Sequence, residues 1–189
     1  RGPAITRPQP PSFTLRDTVI VAEDRVQLPR LYLAWHTVKA FHRDDAPLQV
    51  AAYLLTGARN SRLTNLLVYE RELASNVFAY HDAGRLDGSF NIVATARPGH
   101  NLDSLQKHIE GELRRLGAEG PTARELEQAR NAIEAQFLSR LEQVNGKADQ
   151  LNYYYYFTGE PDYFQKELDA LRAVSSEDVQ RVLRTYLTG

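Results

Sequence analysis

The spacing of apolar residues divides the chain near residue 97. In residues 30–36, large apolar side chains alternate with other side chains, which predicts a strand with a buried face. Residues 18–22 are rich in β-branched side chains and predict an earlier strand. Residues 74–82 and 87–96 predict two strands joined by a glycine-containing loop. The first half of the chain therefore predicts a sheet.

Helices are predicted within and after this sheet region. Residues 44–47 combine acidic side chains with a proline and predict a helix start, Gly57 ends that helix, and Ser61 begins the next one. After residue 97, apolar residues recur three and four positions apart, and Thr122 with Glu125 forms a capping box. The later helices are predicted over residues 102–116, 122–144, 146–157, 161–173 and 175–186. The whole pattern predicts an α+β fold, with an antiparallel or mixed sheet and helices packed on one face.

Length and composition limit the classes of protein. The chain has 189 residues, which predicts a single domain over residues 15–189 after a proline-rich linker or surface arm at residues 1–14. Its net charge is −1, from 23 basic and 24 acidic residues, which argues against nucleic-acid and membrane-surface partners. There is no cysteine and no apolar run long enough to span a bilayer. Because the sequence begins with Arg1, we expect a piece of a longer protein.

The five histidines do not form a zinc motif. The motif H-x-x-E-H is missing, and the nearest combination is His108 with Glu112, four residues apart on a predicted helix. A solvated helix face explains that pair better, since Glu110 and Arg114 beside it form an i, i+4 ion pair. No serine lies in a G-x-S-x-G turn, and no glycine-rich phosphate loop occurs. The sequence predicts no catalytic and no metal-binding residue in this chain.

Three residues of the first hairpin strand are candidate contacts for a peptide or a partner. Phe78, Tyr80 and His81 face a cavity if the second side of the sheet is open. Alternatively, Phe78 and Tyr80 cover the helix layer. Period-two alternation puts these two on one side of the strand and Val77 with Ala79 on the other. The sequence leaves both alternatives open.

Tyrosine occupies four successive positions, Tyr153 to Tyr156, within a predicted helix. Four successive residues cover every side of a helix, so one or two are expected in the core and the others with exposed hydroxyls. Tyr153 and Tyr154 are candidate contacts for apolar peptide side chains, although packing inside the domain is the favoured explanation. Arg62, next to the predicted helix start at Ser61, is the remaining candidate contact.

Six short motifs follow one another along the chain. They comprise Gly57, Ser61, Arg62 and Leu63, then Leu73, Ala74, Val77 and Ala79, then Gly120, Pro121, Thr122, Glu125, Leu126, Ala129, Arg130 and Asn131, then the segments 147–152 and 159–163, and finally Val174 and residues 178–182. These motifs resemble those of the insulinase, pitrilysin and mitochondrial-processing-peptidase family of zinc proteases. Each motif alone is weak, but their common order over about residues 15–187 is specific.

The resemblance implies a fold and a place in a larger enzyme. Members of this family enclose a chamber between two halves built of similar α+β domains, and one domain carries H-x-x-E-H and zinc. This chain, without that motif, resembles the non-catalytic, C-terminal type of domain. The resemblance therefore implies a zinc metallopeptidase as the parent protein, zinc in the catalytic domain of the parent or a partner, and no cofactor in this chain.

One departure from the family pattern limits the role of this domain. Active members often supply an arginine and a tyrosine near the zinc from the pattern L-R-x-x-x-x-L-x-Y, and Val68 and Ser75 occupy those two positions here. The resemblance then implies a chamber wall and a docking surface for peptide substrate and for the catalytic domain, in the same chain or in another. A scaffold or assembly subunit that has lost proteolysis is the alternative. An unrelated small-molecule-binding domain is a third hypothesis.

The resemblance also bears on oligomeric state and compartment. Family domains usually continue into a further strand after the last helix. That strand is missing here after residue 187, which predicts a free sheet edge and a homodimer formed through it. The sequence decides no compartment, and the resemblance favours the bacterial periplasm or another exported compartment.

Overall fold

A computed structural model describes residues 16–23 and 25–188 of the chain. In that part, the strands are β1 (Arg30–Thr37), β2 (Ala74–Ala83) and β3 (Gly88–Ala96). The helices are α1 (Asp45–Thr56), α2 (Arg62–Thr64), α3 (Leu102–Glu119), α4 (Ala123–Arg140), α5 (Val144–Thr158), α6 (Phe164–Ala173) and α7 (Ser176–Val182). Helix α2 continues in a π-helical turn over Asn65–Glu70, and α7 does the same over Leu183–Leu187.

The three strands form one antiparallel sheet in the order β1-β3-β2. The predicted α+β class is confirmed, and the sheet is antiparallel throughout. Because side chains alternate along each strand, one face of the sheet turns towards the helices and the other away from them. The helix-facing side chains include Leu31, Leu33, Trp35, Val77, Ala79, Phe90, Ile92 and Ala94.

The main core lies between this face and the helices. Leu48 and Leu55 of α1 are fully buried with Phe90 and Ile92 of β3, and α3, α4, α7 and the last π-helical turn complete the cluster. Two capping boxes fix where the helices start. Thr122 with Glu125 begins α4, as the sequence predicts, and Ser175 with Asp178 begins α7. The apolar spacing identified the core-facing sides of α3 and α4, but the helix predicted to run to residue 144 ends at Arg140, and Val144 begins α5 with an 81% exposed side chain.

The acidic residue before α1, Asp44, does not cap the helix with its side chain. Asp44 stands at the capping position, but its side chain makes no capping hydrogen bond. Its buried carboxylate instead accepts hydrogen bonds from Arg181 Nη1 at 2.6 Å and from the Tyr186 hydroxyl at 2.8 Å. Burial alone would raise the pKa of Asp44, but these two partners lower it below its ordinary value. Asp44 thus ties the first helix to the last one.

The prediction of a strand at residues 18–22 is wrong. These residues belong to no helix or strand, and Val19, Ile20 and Val21 are 84–88% exposed. β-Branched residues favour an extended backbone, but a strand also needs a neighbouring ladder to pair with. The linker predicted at residues 1–14 lies outside the described residues. Within the described part, no helix is long and apolar enough to cross a membrane.

Candidate functional site: the outward face of the sheet

The face of the sheet that points away from the helices carries a row of exposed aromatic side chains. The strand register places Tyr32 of β1 and Phe78 of β2 on either side of Val93 of β3. In the next row, Tyr80 lies beside Asn91. Tyr32 is 65% exposed, Phe78 58% and Tyr80 48%. The structure therefore decides the alternative left open for Phe78 and Tyr80: neither residue covers the helix layer.

Polar side chains border this aromatic row. Arg30 donates from Nε to Thr95 Oγ1 at 3.2 Å and from Nη1 to the Tyr32 hydroxyl at 3.3 Å. At the opposite end of β1, His36 Nε2 lies 3.3 Å from Asp87 Oδ2. The face thus combines apolar rings in its middle with a cation at one end and a carboxylate at the other. Such a surface suits an extended polypeptide that has both apolar and charged side chains.

His81 does not share this face. Its side chain is fully buried on the helix side, where Nδ1 lies 3.0 Å from Asp45 Oδ1 and Nε2 lies 3.0 Å from Thr37 Oγ1. Asp45 also accepts hydrogen bonds from Gln49 and from the Phe41 amide. Burial raises the pKa of Asp45, but these hydrogen bonds outweigh it and the net change is a lowering. As a contact residue for an external peptide, His81 is therefore corrected to an internal link between β2, β1 and α1.

Arg62 is also internal rather than a contact for an external partner. Its side chain is 12% exposed, and its guanidinium donates to both carboxylate oxygens of Glu125 at 2.9 and 3.0 Å. The same group donates to the Gly120 carbonyl at 3.1 Å and lies 3.5 Å from Glu112. The hydrogen bonds from Arg62, opposed by burial, lower the pKa of Glu125 to about 2. Arg62 therefore joins α2 to α3, to α4 and to the loop between them.

The four successive tyrosines of α5 differ in burial, as expected for residues that point to different sides of a helix. Tyr154 is 1% exposed and donates its hydroxyl proton to Glu167, whereas Tyr155 and Tyr156 are 65% and 57% exposed. Tyr153 is 39% exposed, and its ring lies edge-on to that of Phe41. Burial, with the nearby carboxylates, raises the pKa of Tyr153 to about 12. Tyr153 and Tyr154 thus belong to an aromatic cluster with Phe41 and Tyr163.

The residues nearest to a zinc motif do not fit a zinc ion. Glu112 is buried and forms ion pairs with Arg62 and Arg115, so the solvated face predicted for it is wrong. His108 on the same helix has its pKa lowered by burial and by the charges of Arg71 and Lys107. These cations oppose the binding of a further cation there. Across residues 16–23 and 25–188, no three His, Asp or Glu side chains converge as a metal-binding group.

Comparison with known proteins identifies the family. A family model described as the Peptidase M16 inactive domain matches residues 1–133, more than half of the chain. The chain belongs to the M16 inactive-domain family. This confirms the family and the non-catalytic domain type indicated by the six motifs.

Two named relatives of the M16 domain are longer zinc proteases. This chain is 27% identical over 172 residues to the zinc protease PqqE of Helicobacter pylori, and the match covers 89% of this chain and 38% of that protein. It is 25% identical over 158 residues to the uncharacterized zinc protease YmxG of Bacillus subtilis, covering 84% of this chain and 38% of that protein. The chain thus spans about two-fifths of the length of these relatives.

Solved structures show the same fold. A protease from Helicobacter pylori matches with a TM-score of 0.79 at 25% identity, covering 87% of this chain and 40% of that one. The inactive peptidase domain of a zinc protease from Bordetella parapertussis matches with a TM-score of 0.75 at 25% identity, covering 86% and 87%. The M16 domain therefore recurs both within longer chains and as a separately solved unit.

Two positions of the M16 domain lack the chemistry that the family resemblance associates with them. Val68 lies in the π-helical turn and packs against the core, while its carbonyl accepts a hydrogen bond from Arg97. Ser75 occupies the β-bulge at the start of β2 and donates its hydroxyl proton to the Thr95 carbonyl. A valine and a serine supply neither a cation nor a phenol. Both positions instead support the local backbone at the junction of helix and strand.

Sequence reasoning missed two members of the outward face, Tyr32 and Val93. Alternation in β1 places the side chains of Tyr32 and Leu31 on different faces of the sheet. No pattern within one strand, however, shows which residues of a neighbouring strand lie beside Tyr32. The register, which pairs Tyr32 with Val93 and Val93 with Phe78, supplies that information. A usable signal was present: each of the three strands carries at least one large apolar or aromatic residue on its polar side, and β2 carries two.

Proposed function

We propose that this inactive M16 domain supplies a non-catalytic surface over which a zinc-bearing peptidase domain handles polypeptide substrates. The observation that carries the proposal is the open row of Tyr32, Val93 and Phe78, with Tyr80 beside it, on the outward face of the sheet. Monomeric domains rarely leave contiguous apolar surface uncovered unless it binds something. The family resemblance implies a chamber wall for this type of domain, and we propose that this face supplies it.

The composition of the face supports a role in binding peptides rather than in catalysing their hydrolysis. Rings of tyrosine and phenylalanine bind apolar side chains with little loss of conformational entropy, because they have few rotatable bonds. Arg30 at one end supports contact with acidic side chains. Glu112 and His81 are engaged inside the domain, with Arg62 and Asp45 respectively. The proposed role is therefore to hold and orient substrate.

The catalytic partner is proposed to be a domain with H-x-x-E-H and zinc. Two relatives named zinc proteases are more than twice as long as the matched region, which leaves room for such a domain in the same chain. A separately encoded partner is equally compatible with the family, since an inactive domain pairs with a catalytic domain either way. In this proposal, that domain would hold the zinc ion, which would supply the activated water, and this chain would contribute no zinc ligand.

The test compares hydrolysis by the chain alone with hydrolysis by its complex. We expect the chain alone to cleave no unfolded polypeptide, with or without added zinc, and the complex with the H-x-x-E-H polypeptide from its own or a neighbouring gene to do so. Zinc-dependent turnover by the chain alone, lost on replacing His108 or Glu112, contradicts the proposal. A complex that forms but never cleaves favours the scaffold alternative.

A further inference from the structure

The first turn of α5 contains an asparagine followed by a glycine, Asn145 and Gly146. This pair occurs nowhere else among the 189 residues. An asparagine side chain can react with the backbone nitrogen of the residue that follows it. The reaction is easiest when that residue is glycine, because glycine has no Cβ to hinder the approach and adopts the backbone conformations that ring closure needs. The chain therefore carries one chemically labile asparagine, at the start of α5.

The packing of the turn before α5 requires glycine at position 146. A Cβ placed there would overlap the carbonyl oxygen of Arg140. Helix α4 ends at Arg140 and α5 begins at Val144, so this close approach comes from the tight connection between the two helices. A larger residue at position 146 would have to displace that connection. The fold thus keeps, directly after Asn145, the residue that least hinders its reaction.

The start of α5 is weakly held compared with the starts of α4 and α7. Gln143 stands at the capping position without a capping hydrogen bond from its side chain, and the first turn contains no acidic residue. Helices α4 and α7 both begin with a capping box. The N–H groups of a first turn have no partner within their own helix, so the Gly146 nitrogen can react without breaking a helical hydrogen bond. Helix ends also open at little cost in free energy.

We propose that Asn145 is a site of spontaneous deamidation in the folded chain. The Gly146 nitrogen attacks Cγ of Asn145, and the new carbon–nitrogen bond closes a succinimide ring. The side-chain amide nitrogen of Asn145 leaves as ammonia, with the proton from the Gly146 nitrogen. Water then opens the ring: its hydroxyl group bonds to one carbonyl carbon, and its proton returns to the Gly146 nitrogen. Opening at Cγ gives aspartate, and opening at the backbone carbonyl gives isoaspartate.

The two products should have opposite effects on α5. A carboxylate in the first turn lies near the positive end of the helix dipole, and it supplies the acidic residue that this turn lacks. Isoaspartate instead adds a methylene group to the backbone, which moves Gly146 from its place beside the Arg140 carbonyl. Aspartate is therefore expected to stabilise the start of α5 and isoaspartate to loosen it. This inference does not depend on the proposed function.

The test compares deamidation of the full chain when it is folded and when it is unfolded in urea. Both samples are kept in the same mildly alkaline buffer, and peptide mass spectrometry follows each asparagine. Asn145 should react in the folded chain within about tenfold of its rate in the unfolded chain, because only a helix end must open. Asn60 is the internal control, since the amide of the next residue, Ser61, donates to the Ala58 carbonyl at 3.0 Å. Folding should slow Asn60 by about a hundredfold or more.

Two substitutions at position 145 complete the test. Asn145→Gln should remove the acidic species that accumulates on ion-exchange chromatography, whereas Asn152→Gln on the same helix should leave it. Asn145→Asp should raise the urea midpoint of unfolding above that of wild type. The proposal is contradicted if folding slows Asn145 as much as Asn60, or if the acidic species persists in Asn145→Gln. A lower urea midpoint for Asn145→Asp contradicts the expected effect on α5.

Discussion

Arg62 binds both carboxylate oxygens of Glu125 across 63 residues of sequence, at 2.9 and 3.0 Å. The same guanidinium holds the Gly120 carbonyl at 3.1 Å. Two of the sequence motifs, the one that contains Ser61-Arg62-Leu63 and the one that begins at Gly120, therefore meet at a single ion pair. The two motifs are therefore joined by a contact inside the fold, and Arg62 and Glu125 bind each other instead of a substrate.

Glu125→Gln tests the contribution of this ion pair to stability. The folded pKa of Glu125 is about 2, below its ordinary 4.5, so the charged form stabilises the fold above pH 4.5 and that contribution is lost as pH falls towards 2. The side chain is partly exposed, so we expect a loss of about 1–2 kcal/mol at pH 7 and little difference at pH 2. Urea unfolding at both pH values measures it, with Glu127→Gln as the control. An equal effect of Glu125→Gln at pH 7 and pH 2 contradicts this account.

Gly120 and Gly111 form a matched pair for substitution by alanine. Gly120 has φ of +75°, and an added Cβ would lie 2.5 Å from Ser176 Oγ. We expect Gly120→Ala to destabilise the fold by about 1–3 kcal/mol. Gly111 lies within α3 with open space around it, so Gly111→Ala should stabilise by about 0.5–1 kcal/mol. Thermal unfolding of both variants decides, and effects of the same sign would be inconsistent with the structure.

The buried hydroxyl of Tyr154 predicts a difference between neighbouring tyrosines. Tyr154→Phe leaves Glu167 without its donor, in a site where burial already raises the pKa of that carboxyl. We expect a loss of about 1–2 kcal/mol. Tyr155→Phe, on the exposed side of α5, should change stability by less than about 0.5 kcal/mol. If Tyr155→Phe costs as much as Tyr154→Phe, the assigned orientation of α5 is wrong.

Replacing Thr56 or Thr64 by valine should have different effects on stability. Thr56 accepts the Ala79 amide at 2.8 Å, so Thr56→Val should cost about 0.5–1.5 kcal/mol and speed hydrogen exchange at Ala79. Thr64 has a buried hydroxyl oxygen with no hydrogen-bond partner. Replacing it with valine removes an unsatisfied group and should be neutral or stabilising. Urea unfolding with amide exchange checks both, and slower exchange at Ala79 in Thr56→Val would contradict the assigned bond.

Local signals in the sequence were sufficient for most of the fold. Alternation predicted β1, the hairpin of β2 and β3 followed from two strand patterns around glycine, and Thr122 with Glu125 marked the start of α4. Each of these depends on residues close together in sequence. The exception, residues 18–22, has the local preference of a strand but no partner ladder in the described chain.

Long-range contacts explain why the candidate site was only partly predicted. Phe78 and Tyr80 were identified because alternation within one strand places them on one face. Arg62 and His81 were misassigned because their partners, Glu125 and Asp45, lie 63 and 36 residues away. A charged or polar side chain near a motif has the same local pattern whether it meets a substrate or a buried partner.

In the proposed function, the outward face of the sheet holds polypeptide for a zinc-bearing partner domain. The most direct measurement is kcat/KM of the zinc-loaded complex on reduced, carboxymethylated lactalbumin, with Phe78 and Tyr80 both replaced by serine. We predict a fall of about tenfold or more, with no change when Tyr155 and Tyr156, equally exposed on α5, are replaced instead. A Phe78→Ser, Tyr80→Ser variant that is folded and as active as wild type would contradict the claim.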